Sequence, residues 1–377
     1  YVPCARLLFM VWSACVTLPA FAQRPPATIP TDRQALLERL PEGYAALAPS
    51  RLPSTPARSL AQAQMLLNTS ARTGDSRLAA RADALLAAFP ATDRPPALLY
   101  ARAFSAQHHH DFLGALVLLD SLIQDNPRDG NARLSRSQVR LVLGRLDQAR
   151  EDCTALLGID ISDGLLCAAS LSLRRGEYTT AGSLVERWLA STIPADGRRR
   201  YALVLRAEIA ARAGDGDADA WFLRALALDR RDVRTLAAYA RYLRGVGRNR
   251  EVEILLSQDT VSDGLQLQRA LASHRVDSAR ARKLIEAQGA RYALAHAVGS
   301  EPEMRDEAEF LLTLRRQPDA ALVLALKNFE SQRDHEDVEI LRRAAAAAGR
   351  NDVLASLQKW ADSQHLKLPP LRVQATP

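Results

Sequence analysis

The sequence predicts an all-α solenoid, a run of antiparallel helical hairpins sharing one continuous core. Three observations predict it. The stretch 232–258 puts Leu236, Tyr239, Ala240 and Leu243 on one face at helical spacing, turns at Gly247, and sets Val252, Leu255 and Leu256 on a matching face. A hairpin that small cannot bury its own apolar stripe and needs neighbours of its own kind. A small-residue marker, set early in each second helix where two helices must approach closely, recurs at Ala79, Ala115, Ala149, Ala181, Ala218, Val252, Ala279, Ala320 and Leu354. Its intervals are 36, 34, 32, 37, 34, 27, 41 and 34 residues. Finally, a glycine stands five residues before the marker at Gly74, Gly144, Gly176, Gly247 and Gly349, where the chain must turn. The spacing predicts about nine hairpins.

Composition agrees. Hydrophobic residues make up 47% of the 377 and aromatics only 5%, which suits close-packed helices better than strands. The net charge of +7 invites an acidic partner. All but four of the 50 basic residues are arginine, however, and that skew beside so much alanine also reads as genomic composition with a solvated surface.

In chain order, residues 1–22 carry a basic start, an apolar run and a small-x-small end at Ala20 and Ala22, the form of a secretory signal peptide. Lipid attachment at Cys15 is disfavoured because Trp12 stands where such signals usually carry leucine. Residues 23–58 are proline-rich, with a short helix expected over 34–40. The repeat array is expected over 59–363, with inter-repeat turns at 125–129 and 228–232, and a flexible tail over 364–377. No later apolar run is long enough to span a bilayer, so an exported chain, periplasmic or secreted, is expected.

At residues 165–190 and 236–256 the chain resembles the tetratricopeptide repeat superfamily. Leu165, Ala168, Ala169, Gly176, Tyr178 and Ala181 match the pattern in the first stretch, and Leu236, Tyr239, Ala240, Leu243 and Gly247 in the second. The departures are a first helix before Gly144 that reads one residue out of phase, Val252 and Leu354 in place of alanine, and irregular spacing around Ala279. The resemblance implies a right-handed superhelix whose concave groove, lined by first helices, binds protein or peptide segments. Arg234, Arg241 and Arg244 share the face that would line the groove, with Arg174 and Arg200 in comparable rows of the two preceding repeats. An acidic segment is the partner such a stripe would hold, and replacing Arg241 and Arg244 is expected to leave folding almost intact.

Other candidate chemistry is weak. Three adjacent histidines (His108, His109, His110) sit at a turn and cannot face one way, so no metal is expected there. Asp215, Asp217 and Asp219 alternate like a calcium loop, but Ala220 and Leu226 stand where that loop needs glycine and glutamate. His335 and Glu336 begin like a zinc-protease helix that lacks its second histidine. No phosphate-binding loop or nucleophile elbow is present, so no enzyme and no cofactor are expected. Cys153 and Cys167 fall in helices that should pack together, and an exported compartment permits a bridge between them. Trp188, Trp221 and Trp360 fall in second helices, where packing between repeats is expected. The expected function is therefore a non-catalytic adaptor or scaffold of the periplasm or envelope. The alternative is an accessory of envelope polysaccharide export that binds an acidic polymer. Nucleic acid is not expected, because export removes the usual target.

Overall fold

The computed structural model describes residues 55–368 apart from 192–195, 258–261, 298, 300 and 367. The expected signal peptide, Cys15, most of the proline-rich segment and the end of the tail lie outside the described residues. What is described is helical with no strand, in nine consecutive hairpins. These pair α1 (Pro56–Thr73) with α2 (Ser76–Leu86), α3 (Pro96–His108) with α4 (Phe112–Asp125), α5 (Gly130–Val142) with α6 (Leu146–Leu157), and α7 (Ile161–Arg175) with α8 (Tyr178–Ser191). There follow α9 (Asp196–Ala213) with α10 (Ala218–Leu228), α11 (Val233–Gly245) with α12 (Asn249–Leu255), and α13 (Asp263–Ser273) with α14 (Ser278–Ala297). The eighth joins α15 (Met304–Glu309), extended by a π-helical turn Phe310–Leu314, to α16 (Pro318–Ser331), and the ninth joins α17 (His335–Ala347) to α18 (Asn351–Ser363).

Local chemistry sets these boundaries. Aspartates recur as N-caps: Asp111, Asp129, Asp160 and Asp232 each accept a backbone N–H from the first turn they precede. The turns inside hairpins need a left-handed residue, supplied by Gly74, Gly144, Gly176, Gly214, Gly247 and Gly349 at φ between 67° and 82°. His110 and Arg316 take the same conformation, at φ 58° and 53°, without being glycine. Each lies five residues before a fully buried alanine, Ala115 and Ala321, so each stands where hairpins 1, 3, 4, 6 and 9 place glycine.

The predicted stripe is real. Leu236, Tyr239, Ala240 and Leu243 are buried with Val252 and Leu256, and Phe222 of the preceding hairpin stacks on Tyr239. Six of the nine marker positions, Ala79 to Val252, are buried. Two are corrected: Ala279 and Ala320 are exposed, and Ala281 and Ala321 take the buried place. Ala279 belongs to hairpin 7, whose second helix runs to 20 residues and whose turn has no left-handed residue to fix the register, and Ala320 to hairpin 8, whose left-handed turn residue is Arg316. The array also begins at Pro56 under its N-cap Thr55, and the expected tail is not free at its start, because Leu366 packs on the cluster around Leu141, Leu146 and Cys153.

The coil closes on itself. The turn of hairpin 1 touches hairpins 6 and 7, where a methyl on Gly74 would lie 3.0 Å from Ser262 and 3.2 Å from Val233. His110 at the turn of hairpin 2 meets Glu303 at the entry to hairpin 8, 3.1 Å away. The Arg333 amide at the entry to hairpin 9 donates to the Val142 carbonyl of hairpin 3 at 2.7 Å. Turns on one edge of hairpins 1–3 thus rest on helix entries about six hairpins later.

Candidate functional site

The inner face of the coil divides into two parts. The first is an open cleft of about 260 Å3 across the first helices of hairpins 1–3, lined by Gln64 and Asn68 of α1, Tyr100, Phe104 and Gln107 of α3 and Ser135 of α5. Helical spacing brings these side chains to one surface: Gln64 and Asn68 are four residues apart, as are Tyr100 and Phe104. The lining carries amides, two hydroxyls and two rings, and no charged side chain. Tyr100 is anchored by donating to Asp129, and burial together with that carboxylate pushes its phenol up, so it stays a neutral donor. Asn68 is exposed and makes no side-chain hydrogen bond among the described residues.

The second part holds the arginine rows, and the chain fills it. Arg174 pairs with Asp334 at the entry to α17. Glu336, in the first turn of α17, lies 3.1 Å from Arg212 and 3.9 Å from Arg241. Arg244 donates to Gln268 at 2.7 Å and lies 3.4 Å from Glu309, which also accepts from Arg343 at 2.5 Å. Burial works against these carboxylates, but Arg343 and Arg244 hold Glu309 below its ordinary range, and Arg212 and Arg241 hold Glu336 well below it. Asp337 differs: burial lifts it to about 6 against the pull of Arg305, and it accepts from Asn328 and from the Asp334 amide. His335 is pushed down to about 4 by burial and then by Arg212.

Three of the five expected groove arginines are therefore occupied from within: Arg174, Arg241 and Arg244. Arg200 is turned to the inter-repeat turn, 3.4 Å from Asp232, so it belongs to a cap rather than to the inner face. Arg234 is exposed and makes no ion pair among the described residues. Arg244, expected to be replaceable with folding almost intact, has a side chain only 18% exposed and tied to Gln268 and Glu309 of two other elements.

The remaining candidates resolve into structure. His108 bonds the Phe104 carbonyl, His109 meets Asp83 and His110 meets Glu303, three directions from three neighbours. Asp219 accepts from Tyr239 and Arg248, and Asp217 from the Trp221 ring nitrogen. Among the described residues no group of three or more His, Cys, Asp or Glu could hold a metal ion, and no helix is long and apolar enough to cross a membrane. Trp188 is fully buried, with its ring nitrogen donating to Ser162 at 2.7 Å, while Trp221 lies half-buried under Arg224 and Trp360 packs edge-on against Phe329. Cys153 of α6 and Cys167 of α7 are bonded, with Cα atoms 5.2 Å apart, joining hairpins 3 and 4. Sequence reasoning missed the cleft and the closure alike. The acidic entries to α15 and α17 (Glu303, Asp306, Asp334, Glu336) were the available signal for the second.

No protein-family model matches the chain, and no curated protein sequence matches it either. Solved structures do. The Cut9–Hcn1 hetero-tetramer of the APC/C matches over 82% of this chain and 61% of that one, with 12% identity and a TM-score of 0.50. A tetratricopeptide repeat protein from Parabacteroides merdae matches over 65% of this chain and 97% of that one, at 18% identity and TM-score 0.41. The P58(IPK) TPR domain matches over 82% and 92%, at 16% and 0.26. At such identities the likeness is one of fold. The chain has the tetratricopeptide-repeat fold, an all-α solenoid.

Proposed function

We propose that the chain is a non-catalytic interaction scaffold, exported to the periplasm or beyond, that binds an extended and largely uncharged protein segment in the cleft of hairpins 1–3. One observation carries this reading: the cleft is the part of the inner face that the chain leaves open, lined by Gln64, Asn68, Tyr100, Phe104 and Gln107. Amides bond an extended backbone through its N–H and C=O groups, and the rings cover apolar side chains. An acidic segment is not favoured there, because the arginines that would have held it serve the chain's own carboxylates. The signal-like residues 1–22 and the Cys153–Cys167 bond support an oxidising compartment.

A second reading draws on the same lining. Rings beside amides also suit a neutral glycan, whose hydroxyls the amides would bond and whose apolar faces would stack on Tyr100 and Phe104. An acidic polymer lacks counter-charges in this cleft. Photo-crosslinking separates these readings. A photoreactive residue at position 68 should capture a partner from envelope fractions, and one at position 241 should not. The adduct mass identifies peptide or glycan. Equal capture at both positions, or none at 68, contradicts the assignment to the cleft.

A further inference from the structure

Where the last hairpin meets hairpins 3 and 4, a second cavity of about 70 Å3 remains, and its chemistry is unlike the cleft's. Five arginines line it: Arg174, Arg175, Arg212, Arg333 and Arg342. Four have carboxylates. Arg174 pairs with Asp334, Arg175 lies 3.1 Å from Asp147, Arg212 3.1 Å from Glu336, and Arg342 3.4 Å from Glu339. Arg333 has none among the described residues. Its Nε donates to the Phe329 carbonyl at 3.1 Å and its Nη1 to the Leu143 carbonyl at 3.5 Å, and its guanidinium lies over the rings of Phe329 and Trp360, 5.1 and 5.9 Å from their centroids. His335 and Glu339 also line it, Glu339 as the partner of Arg342, and the apolar walls are supplied by Leu141, Leu146, Leu173, Val338, Leu366 and Leu368.

We propose that this cavity binds a small monocarboxylate carrying a short apolar group, its carboxylate on Arg333 and its apolar part against the leucine walls. Arg333 alone of the five has no carboxylate among the described residues; a monoanion would supply one, and the leucine walls suit a short apolar group better than they suit a phosphate. A half-buried charge without a counter-ion is costly, and the guanidinium fork suits a carboxylate's two oxygens. The local potential agrees: burial and then Arg145 push the Arg333 guanidinium down, and His335 beside it is held neutral by burial and by Arg212. The ligand would touch both sides of the seam. Binding would then favour the closed coil over any opened form.

The test is calorimetric titration of the full chain with butyrate, with phosphate and chloride at matched ionic strength as comparisons. Saturable one-to-one binding of butyrate is expected, tighter than phosphate, with chloride inactive. Arg333→Gln should weaken it at least tenfold, and Arg350→Gln, at an exposed pair with Asp352, should not change it. Should Arg333→Gln fail to fold, Arg333→Lys keeps the charge and stem and is expected to weaken binding severalfold by losing the fork. No saturable heat, unchanged affinity in the Arg333 variants, or phosphate binding more tightly than butyrate would overturn the proposal. The cleft of hairpins 1–3 is untouched by these variants, so this test and the photo-crosslinking fail independently.

Discussion

The inner faces of hairpins 1–3 and of hairpins 4–6 are built alike and used differently. In the first, α1, α3 and α5 line an open cleft with amides and rings and no charged side chain. In the second, α7, α9 and α11 present arginines that meet carboxylates of α15 and α17. A solenoid's concave surface is thus not a binding groove by virtue of its shape. It is one only where the chain has not filled it. Pairs of this kind, half-buried and expensive to desolvate, contribute to which closed arrangement forms more than to net stability.

The difference is breakable, most severely at its charged end. Glu309→Ala leaves Arg244 and Arg343 facing one another without their shared carboxylate, and should cost about 3 kcal/mol in denaturant unfolding. At the boundary between the two regions, replacing Cys153 and Cys167 with alanine should cost roughly 2–3 kcal/mol, the loop-closure entropy of a bridge across 14 residues.

Next comes pH. His335 is depressed to about 4, so the unfolded chain binds its proton first. Its contribution is present above about 6.5 and lost as pH falls through 4, an acid loss of order 2–3 kcal/mol. His335→Gln should flatten that limb in unfolding measured from pH 7 to 4. His110 is raised, chiefly by its hydrogen bond to Glu303, so its contribution is present below its ordinary pKa and fades as pH rises through the folded value. His110→Gln should therefore flatten the alkaline limb instead.

Glycines at the seam should outweigh glycines elsewhere. Gly349→Ala meets open space and should cost about 1 kcal/mol for its left-handed backbone. Gly144→Ala adds a methyl 3.0 Å from Trp360 and 3.1 Å from Arg333, and should cost about 2 kcal/mol or more. Smallest is the open cleft: Asn68→Ala should change stability by less than about 0.5 kcal/mol while weakening partner capture.

The hairpins were legible because period and turn chemistry are local. The stripe through Leu236, Tyr239 and Leu243 and the left-handed Gly74, Gly144, Gly176, Gly247 and Gly349 each report on a few neighbouring residues. Register slipped at Ala279 and Ala320: hairpin 7 has no left-handed turn residue, and hairpin 8 turns at Arg316, which nothing local marks as a turn residue. Closure was not legible. Its partners lie far apart in sequence, as His110 and Glu303 do, and each reads locally as an ordinary solvated charge. The arginines Arg174, Arg241 and Arg244 stand out in the sequence as a stripe, but nothing local to it says that carboxylates at α15 and at the entry to α17 meet them. The cleft escaped because Gln64, Asn68 and Gln107 belong to no pattern until three hairpins stand side by side.

The contact between hairpins 2 and 8 is where the closed coil can be tested most directly. With cysteines at His110 and Glu303, whose side chains meet at 3.1 Å, a short bis-maleimide linker should bridge the two positions within one molecule at native pH. Bridging should be as fast at low protein concentration as at high. Intramolecular bridging confirms closure of the first hairpins on the last. Modification of both cysteines by separate linkers, with no intramolecular bridge in a folded chain, would show an open solenoid and contradict it.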